Sequence, residues 1–170
     1  GKPPLGFDTG PGNVLLDLWV ARHLGRPFDL AGEWAAGGKV LPDLLEKWMA
    51  TPFFSQPSPK STGRELFNMG WIEQQLDGSE RPVDVQATLC ALTAQTICHE
   101  IERIHQNGGL AEAFVCGGGA KNFHLMKLLE NHRFAGGSSR LGRSRGICVA
   151  GVSSHRPQTR QRANRNRRGW

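Results

Sequence analysis

Apolar residues gather at helical spacing in several stretches of the chain, and glycine, proline and serine fill the text between them. A short apolar entry, Leu5 to Asp8, leads into a Gly/Pro turn. Asn13 is then placed as the N-cap of a helix whose one side carries Leu15, Leu18, Trp19 and Arg22. After a turn region around Gly25 to Gly38, Leu41, Leu44, Leu45, Trp48 and Met49 follow three/four spacing, with Pro42 in the first helical turn and Pro52 ending the element. Ser55 to Gly63 is a Pro/Ser/Lys loop, and Thr62 with Glu65 has the form of a capping box opening a further short helix.

The longest periodic stretch follows Pro82. Asp84 is its expected N-cap, and Val85, Leu89, Leu92, Thr96, Ile97, Ile101 and Ile104 form the expected buried stripe, ending at Asn107-Gly108-Gly109. Ala113 to Cys116 reads as a short buried strand, Gly117 to Gly119 as a tight turn, and Asn122 to Glu130 as a helix with Leu125, Leu128 and Leu129 inside. Strand, glycine turn and helix thus occur in that order twice, which points to an α/β arrangement. Beyond about His132 no helical or strand period is sustained.

Charge divides the chain at the same place. The whole sequence of 170 residues carries a formal charge of +6. Up to His132 there are 11 Lys and Arg against 15 Asp and Glu, whereas Arg133 to Trp170 holds ten Arg and no Lys or acid. The basic balance therefore belongs to the last 38 residues, which are expected to be disordered because they cannot bury enough surface to offset chain entropy. Such a tail would attract any polyanion, so a nucleic-acid-binding protein acting through it is the alternative from another class; aromatics are sparse there, with only Phe134 and Trp170.

No apolar run approaches the ~20 residues that span a bilayer. The cysteines Cys90, Cys98, Cys116 and Cys148 form no C-x-x-C pair and read as free thiols of a reducing cytoplasm. The chain opens on Gly1 and reaches its densest motif within six residues, so a piece of a larger protein is expected.

Two glycine turns between a strand and a helix are what a nucleotide site needs, because glycine lets backbone approach a ligand and helix N-termini offer N–H donors to anionic oxygens. In the first, Gly6 to Asn13, the phosphate contacts fall to Asp8, Thr9, Gly10, Gly12 and Asn13, and Asp8 could hold Mg²⁺ directly or through water. An ordinary turn with an Asx cap is the plainer reading of an isolated Asp-x-Gly, but the octapeptide is denser than such a turn requires. In the second, Gly117, Gly118, Gly119 and Asn122 could seat an adenosine. A dinucleotide fingerprint fails there, since Asn122 stands at the third glycine position and no acid follows about 20 residues on. Gly32 to Lys39 looks briefly like a P-loop, but Gly38 stands where its Lys is required. His99-Glu100 is followed by Arg103 where a second His would be needed, so His99 reads as a helix-surface His. Cys116 could be a reactive thiol or a buried one.

Four blocks in order, LGFDTGPGNVLLD (5–17), PKSTGRE (59–65), DVQATL (84–89) with LTA (92–94), and VCGGGA (115–120) with Asn122 and Leu125-Met126, resemble the anhydro-N-acetylmuramic acid kinase family over roughly Leu5 to Glu130. The resemblance implies an RNase H-like domain of the sugar kinase, Hsp70 and actin superfamily, here incomplete: residues 1–132 as the C-terminal nucleotide-binding lobe and 133–170 as a basic tail. It implies ATP and Mg²⁺ as cofactors and a cytoplasmic enzyme of cell-wall recycling. That enzyme opens the anhydro bridge with water while phosphorylating O6, giving N-acetylmuramic acid 6-phosphate. Small molecules are the implied partners, without a specific nucleic acid or a membrane; a homodimer is possible in full-length members.

By the same resemblance Asp8 to Asn13 match the second phosphate motif, and Gly117 to Gly119 with Asn122 match the adenosine motif. Lys60 and Arg64 could meet phosphate or the substrate's lactyl carboxylate, while the capping box explains Thr62 and Glu65 without a ligand. The family's first phosphate motif and catalytic aspartate belong to sequence upstream of Gly1, so an inactive fragment is expected, or a noncatalytic ATP-binding module. The abrupt change after residue 132 resembles out-of-frame translation of a GC-rich message.

Overall fold

The computed structural model describes residues 6–107, 113–132 and 147–150. Among the described residues seven α-helices run in chain order: α1 (Val14–Leu24), α2 (Glu33–Ala36), α3 (Pro42–Met49), α4 (Pro52–Ser55), α5 (Met69–Glu73), α6 (Pro82–Gln106) and α7 (Phe123–Asn131). Two strands, β1 (Ala113–Cys116) and β2 (Ile147–Ala150), pair in parallel with Ala113 opposite Ile147 and Cys116 opposite Ala150. A parallel pair needs a crossover, and α7 lies between the two strands in sequence. The body is thus mainly helical, and the only sheet among the described residues is this pair.

Helix α6 is the axis. From Asp84 to Cys98 only Gln95 is exposed, so the single buried stripe expected from periodicity is instead burial nearly all round, as in a helix enclosed by others. Helices α1, α2, α3 and α7 pack around it. Pro82 opens it at the first helical position, where a missing N–H costs nothing. Asp84 therefore lies inside the first turn instead of capping it. Its Oδ1 accepts the Lys39 N–H at 2.8 Å, and Thr88 Oγ1 accepts the Leu41 N–H at 3.0 Å. Those two bonds tie the chain after α2 to α6. Gly38 makes the approach possible, since a Cβ there would sit 2.2 Å from the Val83 carbonyl oxygen. The P-loop look of Gly32 to Lys39 is thereby explained by packing.

In α1, Leu15, Leu16, Trp19 and Val20 face the core, while Arg22 pairs with Glu73 at 2.9 Å on the surface. Gly25 ends the helix in the left-handed region at φ 64°. The same core continues beside it in Phe53, Phe54, Phe67, Trp71 and Trp48, whose neighbouring ring centroids lie 5.3 to 5.7 Å apart. The capping box expected at Thr62 and Glu65 does not form. Residues 64–66 are a turn, and the helix begins at Met69, capped by Asn68 Oδ1 accepting the Trp71 N–H at 3.0 Å.

Two further expectations differ from the structure. Residues 6–9 are not a strand; the Asp8 N–H donates to Lys60 O at 2.9 Å, one backbone bond where a ladder needs several. Within the segment expected to lack order, Ile147–Ala150 forms β2, an apolar run of four residues too short to show a period but suited to a buried strand. The other residues of 133–170 lie outside those described. Cys90 and Cys98 are free and buried, and burial, then the Asp29 and Glu102 charges respectively, pushes each thiol up to about 12. Cys116 is disulfide-bonded, so the expectation of four free thiols fails there.

Candidate functional site

The first turn is held from three directions. On one side the Asp8 carboxylate is fastened to the loop after Pro59: Oδ2 accepts from Ser61 Oγ and from the Thr62 N–H, each at 3.0 Å. Those bonds take the Thr62 N–H that a capping box would have given to the Glu65 carboxylate, and they leave Asp8 Oδ1 outside them. Beneath the turn, Gly10 rests on α6 and α4, where a Cβ would lie 3.0 Å from Thr96 Oγ1 and 3.1 Å from the Phe54 ring. Farther along, Gly12 adopts φ 55°, a conformation that favours glycine, and its carbonyl accepts a hydrogen bond from Thr93 Oγ1 at 3.0 Å.

Asn13 differs from its expected role. Its backbone is already helical at φ −83° and ψ −7°, and its side chain makes no capping bond. The Val14 N–H turns back to Pro11 O at 3.1 Å. Helix α1, 11 residues long, therefore presents an N-terminus without a side-chain cap, where free N–H groups and the helix dipole favour an anion. The Asn13 amide instead reaches the second turn: a Cβ at Gly118 or at Gly119 would lie 3.7 Å from its Nδ2. The structure thus brings the two glycine turns together, with Asn13 between them.

The second turn is built differently. Gly117 has φ 75°, and the 3-10 turn Gly118–Lys121 leads into α7. There the cap is made: Asn122 Oδ1 accepts the Leu125 N–H at 2.9 Å. The same amide is seated against Gly32, at φ 74°, where an added Cβ would meet Asn122 Oδ1 at 2.0 Å. With that N-terminus satisfied, the second turn offers glycine backbone and the remaining Asn122 Nδ2, which suits an uncharged edge better than a phosphate. Phe123 follows with 72% of its surface exposed.

Lys60 and Arg64 part company. Lys60 is buried, and its three ammonium donors meet Phe54 O at 3.1 Å, Gln56 O at 3.3 Å and Glu100 Oε1 at 2.6 Å, with the Phe53 ring 5.1 Å away. Glu100 also accepts from Ser58 Oγ and Arg103, and although burial raises its carboxyl, the Lys60 and Ser58 hydrogen bonds and the Lys60 and Arg103 charges hold it below the ordinary 4.5. A ligand would have to break this set to reach Lys60, so its side chain belongs to the scaffold. Arg64 is exposed and lines a small cavity of about 60 Å³ with Gly10, Pro11, Thr62 and Phe67. A broader open concavity of about 370 Å³ is lined by Gly6, Phe7, Asp8, Pro59, Lys60 and Ser61.

Among the described residues no three His, Cys, Asp or Glu side chains converge as a metal site. One carboxylate is nevertheless enough for Mg²⁺, which is commonly held by one or two carboxylates together with substrate phosphates. Asp8, with Oδ1 outside its hydrogen bonds, fits that chemistry. No described helix is long and apolar enough to cross a membrane.

Sequence reasoning missed Thr93 and Ser61, and counted Thr96 only as part of a stripe. The signal was present for the threonines, because a hydroxyl on an otherwise apolar helix must find an acceptor. Residues 1–138 match the family model described as AnmK, anhydro-N-acetylmuramic acid kinase.

Proposed function

Because the chain belongs to the anhydro-N-acetylmuramic acid kinase family, we propose that residues 6–132 form the nucleotide side of an ATP-dependent sugar kinase. The family is one of kinases, which implies a sugar-kinase, actin-like fold and small-molecule substrates. The reaction assigned here is transfer of the γ-phosphoryl of ATP to O6 of 1,6-anhydro-N-acetylmuramic acid. Water adds at the anomeric carbon as the anhydro bridge opens, and the products are N-acetylmuramic acid 6-phosphate and ADP. The setting is cytoplasmic recycling of peptidoglycan.

In this reading the N–H groups of the first turn and of the α1 N-terminus bind the phosphates of ATP. Asp8 Oδ1 would hold Mg²⁺ or one of its waters, which would supply neutralisation of the phosphate charge. Gly117 to Gly119 and the Asn122 amide border the adenosine. Arg64 takes an anionic group of the phosphate or of the sugar, and Lys60 is withdrawn from ligand contact. Phosphoryl transfer is mostly positioning and charge stabilisation, and the base that activates water is assigned to sequence outside these residues. The chain alone is therefore expected to bind nucleotide with little or no turnover; abundant sugar 6-phosphate from it, followed by mass spectrometry, would sink that part.

The observation that supports the reading is Asn13, free of capping duty and standing between the two turns. Asn13→Asp tests it, because one charge has opposite effects on fold and ligand. At an uncapped helix N-terminus Asp stabilises by ~0.5–1 kcal/mol, whereas beside phosphates it repels. The expected outcome is an unchanged or raised melting temperature with ATP affinity lowered about tenfold or more, a loss of about 1.4 kcal/mol. Unchanged affinity contradicts the assignment.

A further inference from the structure

We propose that Thr93 is a positioning residue for the nucleotide phosphates, acting through the Gly12–Asn13 peptide; this rests on the functional reading above. Thr93 sits in the middle of α6, 2% exposed, and its hydroxyl lies 3.0 Å from Gly12 O and 3.0 Å from Leu89 O one turn back on its own helix. Bonding to the residue four back is what a helical threonine does by default. The second acceptor is supplied by a turn 81 residues away in sequence.

That contact fixes more than a carbonyl. A trans peptide is planar, with C=O and N–H pointing in opposite directions. Fastening Gly12 O toward α6 therefore turns the Asn13 N–H away from α6, to the outer side of the turn. The described backbone bonds there run from the Val14 N–H to Pro11 O and from the Asp17 N–H to Asn13 O, so the Asn13 N–H is not consumed by them. Gly12, at φ 55°, lacks the side chain that would by itself restrict this peptide's rotation. Thr93 supplies the restriction from below. Thr96 completes the seat, its hydroxyl donating to Thr93 O at 3.1 Å while its side chain lies under Gly10.

The test compares Thr93→Val with Thr93→Ser by calorimetric titration of Mg·ATP, with a melt of each nucleotide-free protein. Valine keeps the shape and removes the proton; serine keeps the proton. The expected result is affinity lowered about tenfold in T93V and restored to within about twofold of the parent in T93S. Parent-like affinity in T93V, or T93S as weak as T93V, overturns the proposal. An independent measurement on the parent protein covers the case in which T93V does not fold. Its Asn13 amide resonance should shift on adding Mg·ATP, and an Asn13 amide that stays in place while its neighbours move overturns the proposal equally. Failure of the parent protein to bind Mg·ATP would instead remove the functional reading, and this inference with it.

Discussion

Replacing Lys60 with Met separates a scaffold lysine from a ligand lysine. In the parent, the ammonium and the Glu100 carboxylate are 3% and 4% exposed and bonded to each other. Removing the cation leaves Glu100 with Ser58 and Arg103 as donors; it deprives Phe54 O of its side-chain donor, while Gln56 O keeps the Arg103 Nη1 donor at 3.1 Å. Breaking a buried pair in this way costs ~3–5 kcal/mol. Because Arg103 stays and methionine covers the Phe53 ring, we expect the lower end, ~3 kcal/mol. Replacing both partners, in K60M/E100L, removes the stranded charge and should recover at least half of that loss.

Urea unfolding followed by tryptophan fluorescence measures it, with Trp48 and Trp71 packed 5.6 Å apart in the adjoining aromatic cluster as reporters. The pH dependence has a definite sign. Glu100 titrates below its ordinary 4.5 in the folded chain. The parent's stabilisation by the pair is therefore fully present above that value and is lost as pH falls through the lower folded value. The gap between parent and K60M should accordingly narrow toward acid pH. A loss under ~1 kcal/mol in K60M, the range of exposed ion pairs, or a double variant no better than the single, would refute the scaffold reading. If K60M/E100L folds but loses Mg·ATP affinity tenfold or more, Lys60 is a ligand after all.

Three further outcomes follow from the same geometry. Burial raises the Asp17 carboxyl from 3.8 to about 6, so the folded state holds that proton more tightly and stability falls as pH rises from about 4 to 6. Asp17 is only half-buried, so the effect is discounted to ~1–2 kcal/mol. Asp17→Asn should be more stable than the parent at pH 7.5 and equal to it near pH 4, read as urea midpoints, and a pH-independent difference would contradict this. Gly38→Ala places a Cβ against the Val83 backbone and should cost ~2–3 kcal/mol by forcing the α2 end off α6; a melting temperature within 1–2 °C of the parent would show that the contact yields. Asn122→Ala should lose ~1 kcal/mol as a cap is removed, whereas Asn122→Asp keeps the acceptor and deletes the amide donor. Parent-like stability with weaker binding of both ATP and ADP is expected for Asn122→Asp, and unchanged binding would leave Asn122 as a cap alone.

The parts that were legible in the sequence are those written in local patterns. Helix α3 follows its Leu and Trp spacing with Pro42 in place, and Ala113 to Asn122 reads as strand, turn and helix start as found. Gly12 of the first turn declares itself because few other residues adopt its backbone at φ 55°. What was not legible depends on partners far along the chain. Thr62 and Glu65 satisfy the local rule for a cap, but Asp8, 54 residues away, takes the Thr62 N–H instead. Lys60 in a polar loop looks available until Glu100, 40 residues on, is seen to bury it. Asn13 and Asn122 are the same residue type in the same position before a helix. One caps and the other does not, because what lies around each decides the matter. The Arg-rich text of 133–170 hid a strand since four apolar residues cannot outweigh their surroundings in a composition count.

The most direct measurement of the central claim is calorimetric titration of this chain with ATP, in the presence of Mg²⁺ and again with the metal chelated. The account predicts saturable binding at one site, weakened by chelation through Asp8 and competed by ADP. No saturable binding up to about 1 mM, the upper end of ordinary enzyme substrate affinities, would contradict it.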